Sequence, residues 1–277
     1  MTISFKEKLL ADYLDRFSLP AIAFSGGLDS GFLVWFVRNR LKRQAIVLCA
    51  QHELIPAREE KYRAKVMEIY GWTDAEYVRV DVLSLPQVVA NNRDRCYACK
   101  KHLMGMLLDV ALAKGCDGLL DGTTADEQLM YRPGVRALRE LGIHSPFAET
   151  GWTKEDIRES ARSYELVFAS KPPESCLATR FPYYWRLELS ALKVVDAIEE
   201  KLQTVTEGAV RARVHPEAKL IRIEVSLLLH EKFSDDIRRE ILEIARKAGF
   251  KWVTLDVSGF RSGSWDSDQN GASVGKD

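Results

Sequence analysis

Four short apolar runs constrain the fold of this chain more than anything else in it. PAIAF (20–24), QAIVLCA (44–50), EYVRVDV (76–82) and GLLDG (118–122) are separated by segments with helical spacing. A parallel strand partner is reached only through a crossover long enough to hold a helix, so this alternation predicts an α/β fold with a doubly wound parallel sheet. Helices are expected over 5–17, 29–41, 56–70 and 97–114, with Pro56 near the start of the third and Gly71 at its stop. Residues 123–151 hold the breakers Pro133, Gly134, Gly142, Pro146 and Gly151, and read as a long loop with a helical piece. Thr153 and Asp156 make a capping-box start for a helix to 164, and LVFAS (166–170) reads as a further strand.

The pattern changes after residue 186. A helix near 190–207, the alternating runs VRARVH and LIRIEV, a helix over 227–248 and the run WVTLDV predict a smaller α+β unit. The expected domains are therefore 1–185 and 186–261, followed by a Gly/Ser/Asp-rich tail, 262–277, expected to be disordered.

Charge and cysteine usage exclude some classes. Lysine plus arginine and aspartate plus glutamate are 40 each, so no net field steers the chain to nucleic acid or to a membrane. No run approaches the ~20 apolar residues of a bilayer span, and the opening MTISFKEKLLADYL lacks a signal-peptide core. A cytoplasmic protein is expected. Five cysteines, an odd count, argue against a disulfide framework. Cys49, in an apolar run, and Cys116, at a helix end, read as small core residues. Cys96, Cys99 and Cys176 remain as candidates for chemistry.

AFSGGLDSG (23–31) follows an apolar run and opens a helix. Gly26 and Gly27 allow an anion to approach the backbone closely. Ser25, Ser30 and the first N–H groups of the helix can bind phosphate, aided by the helix dipole. Asp29 is placed to meet a Mg2+ ion shared with those phosphates. The plain alternative is a glycine-rich turn with no ligand. This motif resembles the PP-loop of the N-type ATP pyrophosphatases. The resemblance implies ATP cleavage between the α and β phosphates, with AMP attached to an acceptor and pyrophosphate released.

Two later stretches carry further candidates. DGTTADEQLMYRPG (121–134) places Asp121 and Gly122 at a strand end, where doubly wound sheets hold ligands. Arg132, in the same stretch, has the planar fork that suits phosphate. ESCLATRFPYY (174–184) surrounds Cys176 with Arg180, a setting that suits thiolate chemistry or metal ligation, although a lone loop cysteine is more often structural. RDRCYACKKH (93–102) holds Cys96 and Cys99 with two residues between them. Zinc, an iron–sulfur cluster, a redox pair and no role at all are each open for that pair from spacing alone.

Taken together, SGGLDS, LDGTTADEQLMYRPG, ESCLATRFPY, VRARVH and TLDVSGFRSG resemble the LarE family, over roughly residues 8–263. That family comprises ATP-dependent sulfur transferases, pyridinium-3,5-bisthiocarboxylic acid mononucleotide synthases of nickel-pincer nucleotide cofactor biosynthesis. The resemblance implies that carboxylates of pyridinium-3,5-biscarboxylic acid mononucleotide are adenylated by ATP and converted to thiocarboxylates. In one branch the cysteine matching Cys176 gives up its own sulfur. That branch lacks cysteines matching Cys96 and Cys99. The chain resembles the other branch, in which Cys96, Cys99 and Cys176 would hold a [4Fe–4S] cluster whose open iron binds hydrosulfide, a soft set suited to thiolates. The resemblance also implies ATP contacts from Ser25, Gly26, Gly27, Asp29, Ser30, Asp121, Gly122, Arg132 and Arg180. It puts a substrate phosphate on Arg211 and Arg213, and a second metal on Glu199 and Glu224. His230 stands at the family's later acidic ligand. Trp185 and Tyr183 could stack on a pyridinium ring, although aromatic residues more often pack.

The expected partners are a small nucleotide substrate, a sulfide source and further copies of the chain in a homo-oligomer. Three rivals are a tRNA thiolase, an ammonia-using synthetase and a redox-sensing binding module. The neutral charge opposes the first, and the cysteine trio has no purpose in the second. ATP turnover to AMP separates the enzyme from the third.

Overall fold

The computed structural model describes residues 2–129, 133–206, 208–226 and 233–261. They form two compact units, one from Met1–Val88 and Arg93–Pro173, the other from Val89–Asn92 and Glu174 onward.

The first unit opens with α1 (Ile3–Leu14), β1 (Pro20–Ala23), α2 (Leu28–Trp35), β2 (Ile46–Gln51), α3 (Ala57–Tyr70), β3 (Glu76–Arg79) and α4 (Pro86–Val89), whose last residue falls in the other unit. It continues with α5 (Arg95–Ala113), β4 (Gly118–Leu120), α6 (Ala125–Leu129), α7 (Pro133–Glu140), α8 (Pro146–Glu149) and α9 (Lys154–Ser163). All four strands are parallel, in the order β3-β2-β1-β4. The chain moves outward from β1 to β3 and then returns to the other side of β1. The order therefore reverses between β1 and β4, and the carboxyl ends of those two strands flank the crevice where such sheets take ligands.

The apolar runs are continuous because helices cover the sheet. Leu10, Leu14, Phe24, Phe32, Phe36, Phe147, Trp152 and Phe168 share one core. α3 stops at Gly71, whose φ of 70° is the left-handed cap that glycine adopts at low cost. Thr153 and Asp156 complete the reciprocal capping box of α9. Cys49 and Cys116 are buried, as their settings predict, and burial pushes the Cys49 thiol up to about 11. No helix among the described residues is long and apolar enough to cross a membrane.

One expected strand is absent. Residues 166–170 form turns. The run is apolar because Leu166, Phe168 and Ala169 enter the core, with the Phe168 ring 3.3 Å from where a Cβ on Gly31 would sit. The outer edge of β4 is met instead by a bridge from Leu120 to His144.

His52, just past β2, is held down to about 4 by burial and then by the charge of Arg63. The folded unit binds this proton less well than the unfolded chain does. The stabilising contribution is therefore complete above about pH 6.5 and is lost as pH falls towards 4. The stability of wild type to urea should weaken by about 3 kcal/mol across that window from this group. His52→Gln should flatten the dependence; an unchanged slope would remove His52 as its source.

The second unit contains α10 (Leu189–Gln203), β5 (Arg211–His215), β6 (Leu220–Glu224), α11 (Asp235–Lys247) and β7 (Trp252–Leu255). Its sheet has the order β5-β6-β7, antiparallel between β5 and β6 and parallel between β6 and β7. α10 buries Leu192, Val195, Ile198 and Leu202, and on the same face the carboxylate of Glu199.

Candidate functional site

The loop between β1 and α2 is shaped by its two glycines. Gly26 has a φ of 87°, and a Cβ there would lie 3.0 Å from Cβ of Arg63. Both facts require glycine at this position. Gly27 is the N-cap of α2, and no side chain caps that helix. Its first-turn N–H groups thus face the loop with the positive end of the helix dipole behind them. The hydroxyls of Ser25 and Ser30 lie 3.0 Å apart, and Ser25 N–H donates to Ser30 Oγ at 3.2 Å. Lys171 donates to the Gly26 carbonyl at 3.1 Å and pairs with Glu59 at 2.5 Å. The loop is held in shape from both sides.

Asp29, in the first turn of α2, accepts from Nζ of Lys154 at 2.8 Å through Oδ2. Its Oδ1 is buried and has no hydrogen-bond partner. Burial raises the Asp29 pKa, with Lys154 pulling against it. A buried carboxylate oxygen with no donor is costly unless a cation or water completes it, so this oxygen fits a hydrated Mg2+ ion.

Asp121, at the end of β4, is buried and accepts from Thr123 N–H at 3.2 Å, Thr123 Oγ1 at 2.7 Å and Ser145 Oγ at 2.7 Å. Lys100 Nζ lies 3.6 Å away. A Cβ on Gly122 would sit 2.8 Å from Ser30 N and 3.0 Å from the Asp29 carbonyl carbon. The backbone after β4 therefore rests directly on the first turn of α2. This brings Ser25, Gly26, Gly27, Asp29, Ser30, Asp121 and Gly122 to one place, the strand-order reversal. Arg132 and His230 lie outside the described residues.

Cys96 and Cys99 fall in the first two turns of α5, which starts at Arg95 rather than near residue 97. Three residues apart on a helix, they share one face. Cys96 is exposed, Cys99 half-buried, and all five cysteines are thiols. Tyr97 and Lys101 both bond Glu140 at 2.6 Å, anchoring this end of α5 to α7. Among the described residues no three His, Cys, Asp or Glu side chains are gathered as a metal-holding group. The first unit by itself offers two thiols that are not buried, Cys96 and Cys99, fewer than the three a cluster with one open iron requires.

In the second unit Cys176 is the N-cap of a short 3-10 turn, Leu177–Arg180, and is half-buried. Arg180 is fully buried and folds back over this turn. It donates to the carbonyls of Ser175 at 2.9 Å and Cys176 at 3.1 Å, and to the hydroxyls of Ser175 at 2.8 Å and Thr179 at 2.9 Å. Its other edge makes two 2.8 Å bonds to the two oxygens of Glu199. Burial works against the charge of Arg180, but Glu199 and Glu174 more than offset it and hold its pKa above the ordinary value. Arg211 and Arg213, both buried on β5, pair with Glu174 at 2.8 Å and Glu224 at 3.1 Å. Arg222 meets Glu224 at 3.1 Å and Asp256 at 3.4 Å. Glu199 also accepts from Ala212 N–H at 2.9 Å. Both expected second-metal carboxylates are thus engaged by arginines. Trp185 stacks on Phe181, with centroids 5.0 Å apart.

No family model matches the chain. It is 32% identical over 256 residues to an uncharacterized protein of Synechocystis sp., covering 92% of this chain and 94% of that one. It is 30% identical over 264 residues to the pyridinium-3,5-bisthiocarboxylic acid mononucleotide synthase of Lactiplantibacillus plantarum, covering 95% of this chain and 94% of the synthase. The chain belongs to the LarE family. An uncharacterized protein of Methanocaldococcus jannaschii is 33% identical over 187 residues, 67% of this chain and 71% of its own length.

Reading this LarE-family sequence by motif missed three charged residues around the candidate sites. Lys154 pairs with Asp29 from 125 residues away, and Lys171 reaches Gly26 across 145. Glu174, two positions before Cys176, bridges Arg180 at 3.1 Å and Arg211 at 2.8 Å. The signal for Lys154 was its place at the start of a well-capped helix, which fixes where its side chain emerges. Glu174 and Lys171 carried no comparable signal.

Proposed function

We propose that this LarE-family chain is an ATP-dependent sulfur transferase that makes the bisthiocarboxylic acid mononucleotide named for its Lactiplantibacillus plantarum relative. The supporting observation is the approach of the Gly122 backbone to Ser30 and Asp29, which brings two distant motifs together at the N-terminus of α2. In this reading Ser25, Gly26, Gly27 and Ser30 hold the ATP phosphates, and Asp121 and Gly122 line the same place. Asp29 would hold Mg2+, which when bound would supply positive charge beside the ATP phosphates. A carboxylate oxygen of pyridinium-3,5-biscarboxylic acid mononucleotide attacks the α phosphorus, the bond to the bridging β oxygen breaks, and pyrophosphate leaves. A sulfur nucleophile then adds to the acyl carbon and expels AMP, leaving a thiocarboxylate. Arg211 and Arg213 receive the substrate phosphate, to which two arginine forks are matched.

The sulfur stage is assigned to Cys96, Cys99 and Cys176, which would be the ligands of a [4Fe–4S] cluster that, when bound, would supply the sulfur. In this reading the helical pair would supply two ligands and Cys176 the third. A second reading, sulfur taken from Cys176 itself, is favoured by the half-buried thiol on a tightly held turn.

Iron and acid-labile sulfide, measured after oxygen-free reconstitution of wild type, Cys96→Ala and Cys176→Ala, separate the two. About four irons per chain, lost in both variants, is the expected result. Wild type without iron, combined with loss of ~34 Da (hydrogen sulfide) from Cys176 after ATP and substrate, would replace it with the second reading. No pyrophosphate release under either condition would overturn adenylation.

A further inference from the structure

One oxygen of Glu174 is shared by several donors. Oε1 accepts from Ser175 N–H at 2.9 Å, lies 3.1 Å from NH2 of Arg180 and 2.8 Å from NH2 of Arg211. Ser175 immediately precedes Cys176. Arg180 in turn bonds the Ser175 and Cys176 carbonyls. Glu174 is therefore a direct tie between the thiol-bearing loop and the arginine assigned above to the substrate phosphate.

Arg211 is buried, with 5% of its surface exposed. A buried guanidinium cannot give up its anion without another arriving, because an unpaired charge there is heavily penalised. Opening of the Glu174 contact is therefore expected to proceed by exchange. A phosphate presents several oxygens to the Arg211 fork, to which such a group is well matched. The Glu174 side chain retains 17% exposure, so it has a route outward when displaced. The remaining acids stay in place: Glu199 on Arg180, and Glu224 with Asp256 on Arg213 and Arg222.

We propose that Glu174 occupies the place on Arg211 that the substrate phosphate takes, and that its displacement loosens the loop carrying Cys176. Occupancy of the phosphate subsite is thereby communicated to the thiol, and Glu174 acts as a positioning residue. This rests on the assignment of Arg211 and Arg213 to the substrate phosphate.

The test uses the full chain, with inorganic phosphate as the probe and chloride at equal ionic strength as its control. Alkylation by iodoacetamide is followed site by site by peptide mass spectrometry, and phosphate binding by equilibrium dialysis. Phosphate should raise the Cys176 rate about tenfold, the mark of a local opening, with no change at Cys96. Glu174→Gln should show the raised rate without phosphate, and should bind phosphate about tenfold more tightly because the internal competitor is gone. Phosphate binding equally well to both proteins, or binding without any change at Cys176, would overturn the proposal while leaving the subsite assignment standing. Absence of binding to both proteins would overturn the assignment, and the proposal with it.

Discussion

Asp29→Asn should lower ATP-dependent pyrophosphate release by on the order of a thousandfold, with little change in stability. The carboxylate has two separable tasks. Oδ2 holds Lys154 at 2.8 Å, while Oδ1 is buried and lacks a donor. Asparagine keeps the volume and removes the charge that a cation needs. Lys154 is a third exposed, so water can solvate it once its partner is lost, and the folding cost stays small. The measurement is pyrophosphate release at saturating ATP across a Mg2+ titration, with thermal unfolding alongside. A loss below threefold at all Mg2+ concentrations would reduce Asp29 to a structural partner of Lys154. The same group sets an acid limb. Burial places its pKa above the ordinary carboxylate value, so the ionised form is lost sooner as pH falls. The acid limb of release should therefore lie higher than for an exposed aspartate, and added Mg2+ should move it back down, since the cation favours the ionised form.

How much of this was legible in the sequence depends on whether the deciding partner is local. The stop at Gly71 and the Thr153–Asp156 box were legible because each is settled within a few residues. Gly26 was legible for the same reason, since its φ of 87° is a local backbone requirement. Residues 166–170 misled because apolar composition reports burial and not hydrogen-bond partner; Phe168 is buried from a turn as completely as from a strand. The start of α5 was placed too late, although the shift matters chemically, because it puts Cys96 and Cys99 on helical spacing. For Arg180 the family resemblance implied an ATP contact, and no residue beside it marked its buried pairing with Glu199. Its acid lies 19 residues on, across a change of element. Nothing in either segment advertises the pairing. The same holds for Arg211 and Arg213, whose strand alternates as an exposed polar face would, yet whose guanidinium groups are inside.

The pairing of Arg180 with Glu199 has the largest consequence for stability. Both side chains are completely buried and joined by two 2.8 Å bonds. Removing one member breaks this buried pair and leaves the other with weaker partners, Glu174 for Arg180 and the Ala212 N–H for Glu199, so Arg180→Met and Glu199→Leu should each cost roughly 3–5 kcal/mol. The double variant should cost well below the sum, by a coupling of about 1–3 kcal/mol, because the loss of their shared contact is then counted once. It should still not regain wild-type stability. Arg180 also satisfies two carbonyls and two hydroxyls of the Cys176 turn, and methionine satisfies none. Arg180→Lys is a poor rescue for the same reason: a single ammonium cannot span both Glu199 oxygens and the turn. Urea unfolding of the three variants measures the cycle. Strict additivity would show that the two side chains contribute independently, and that the arginine holds the Cys176 turn without help from α10.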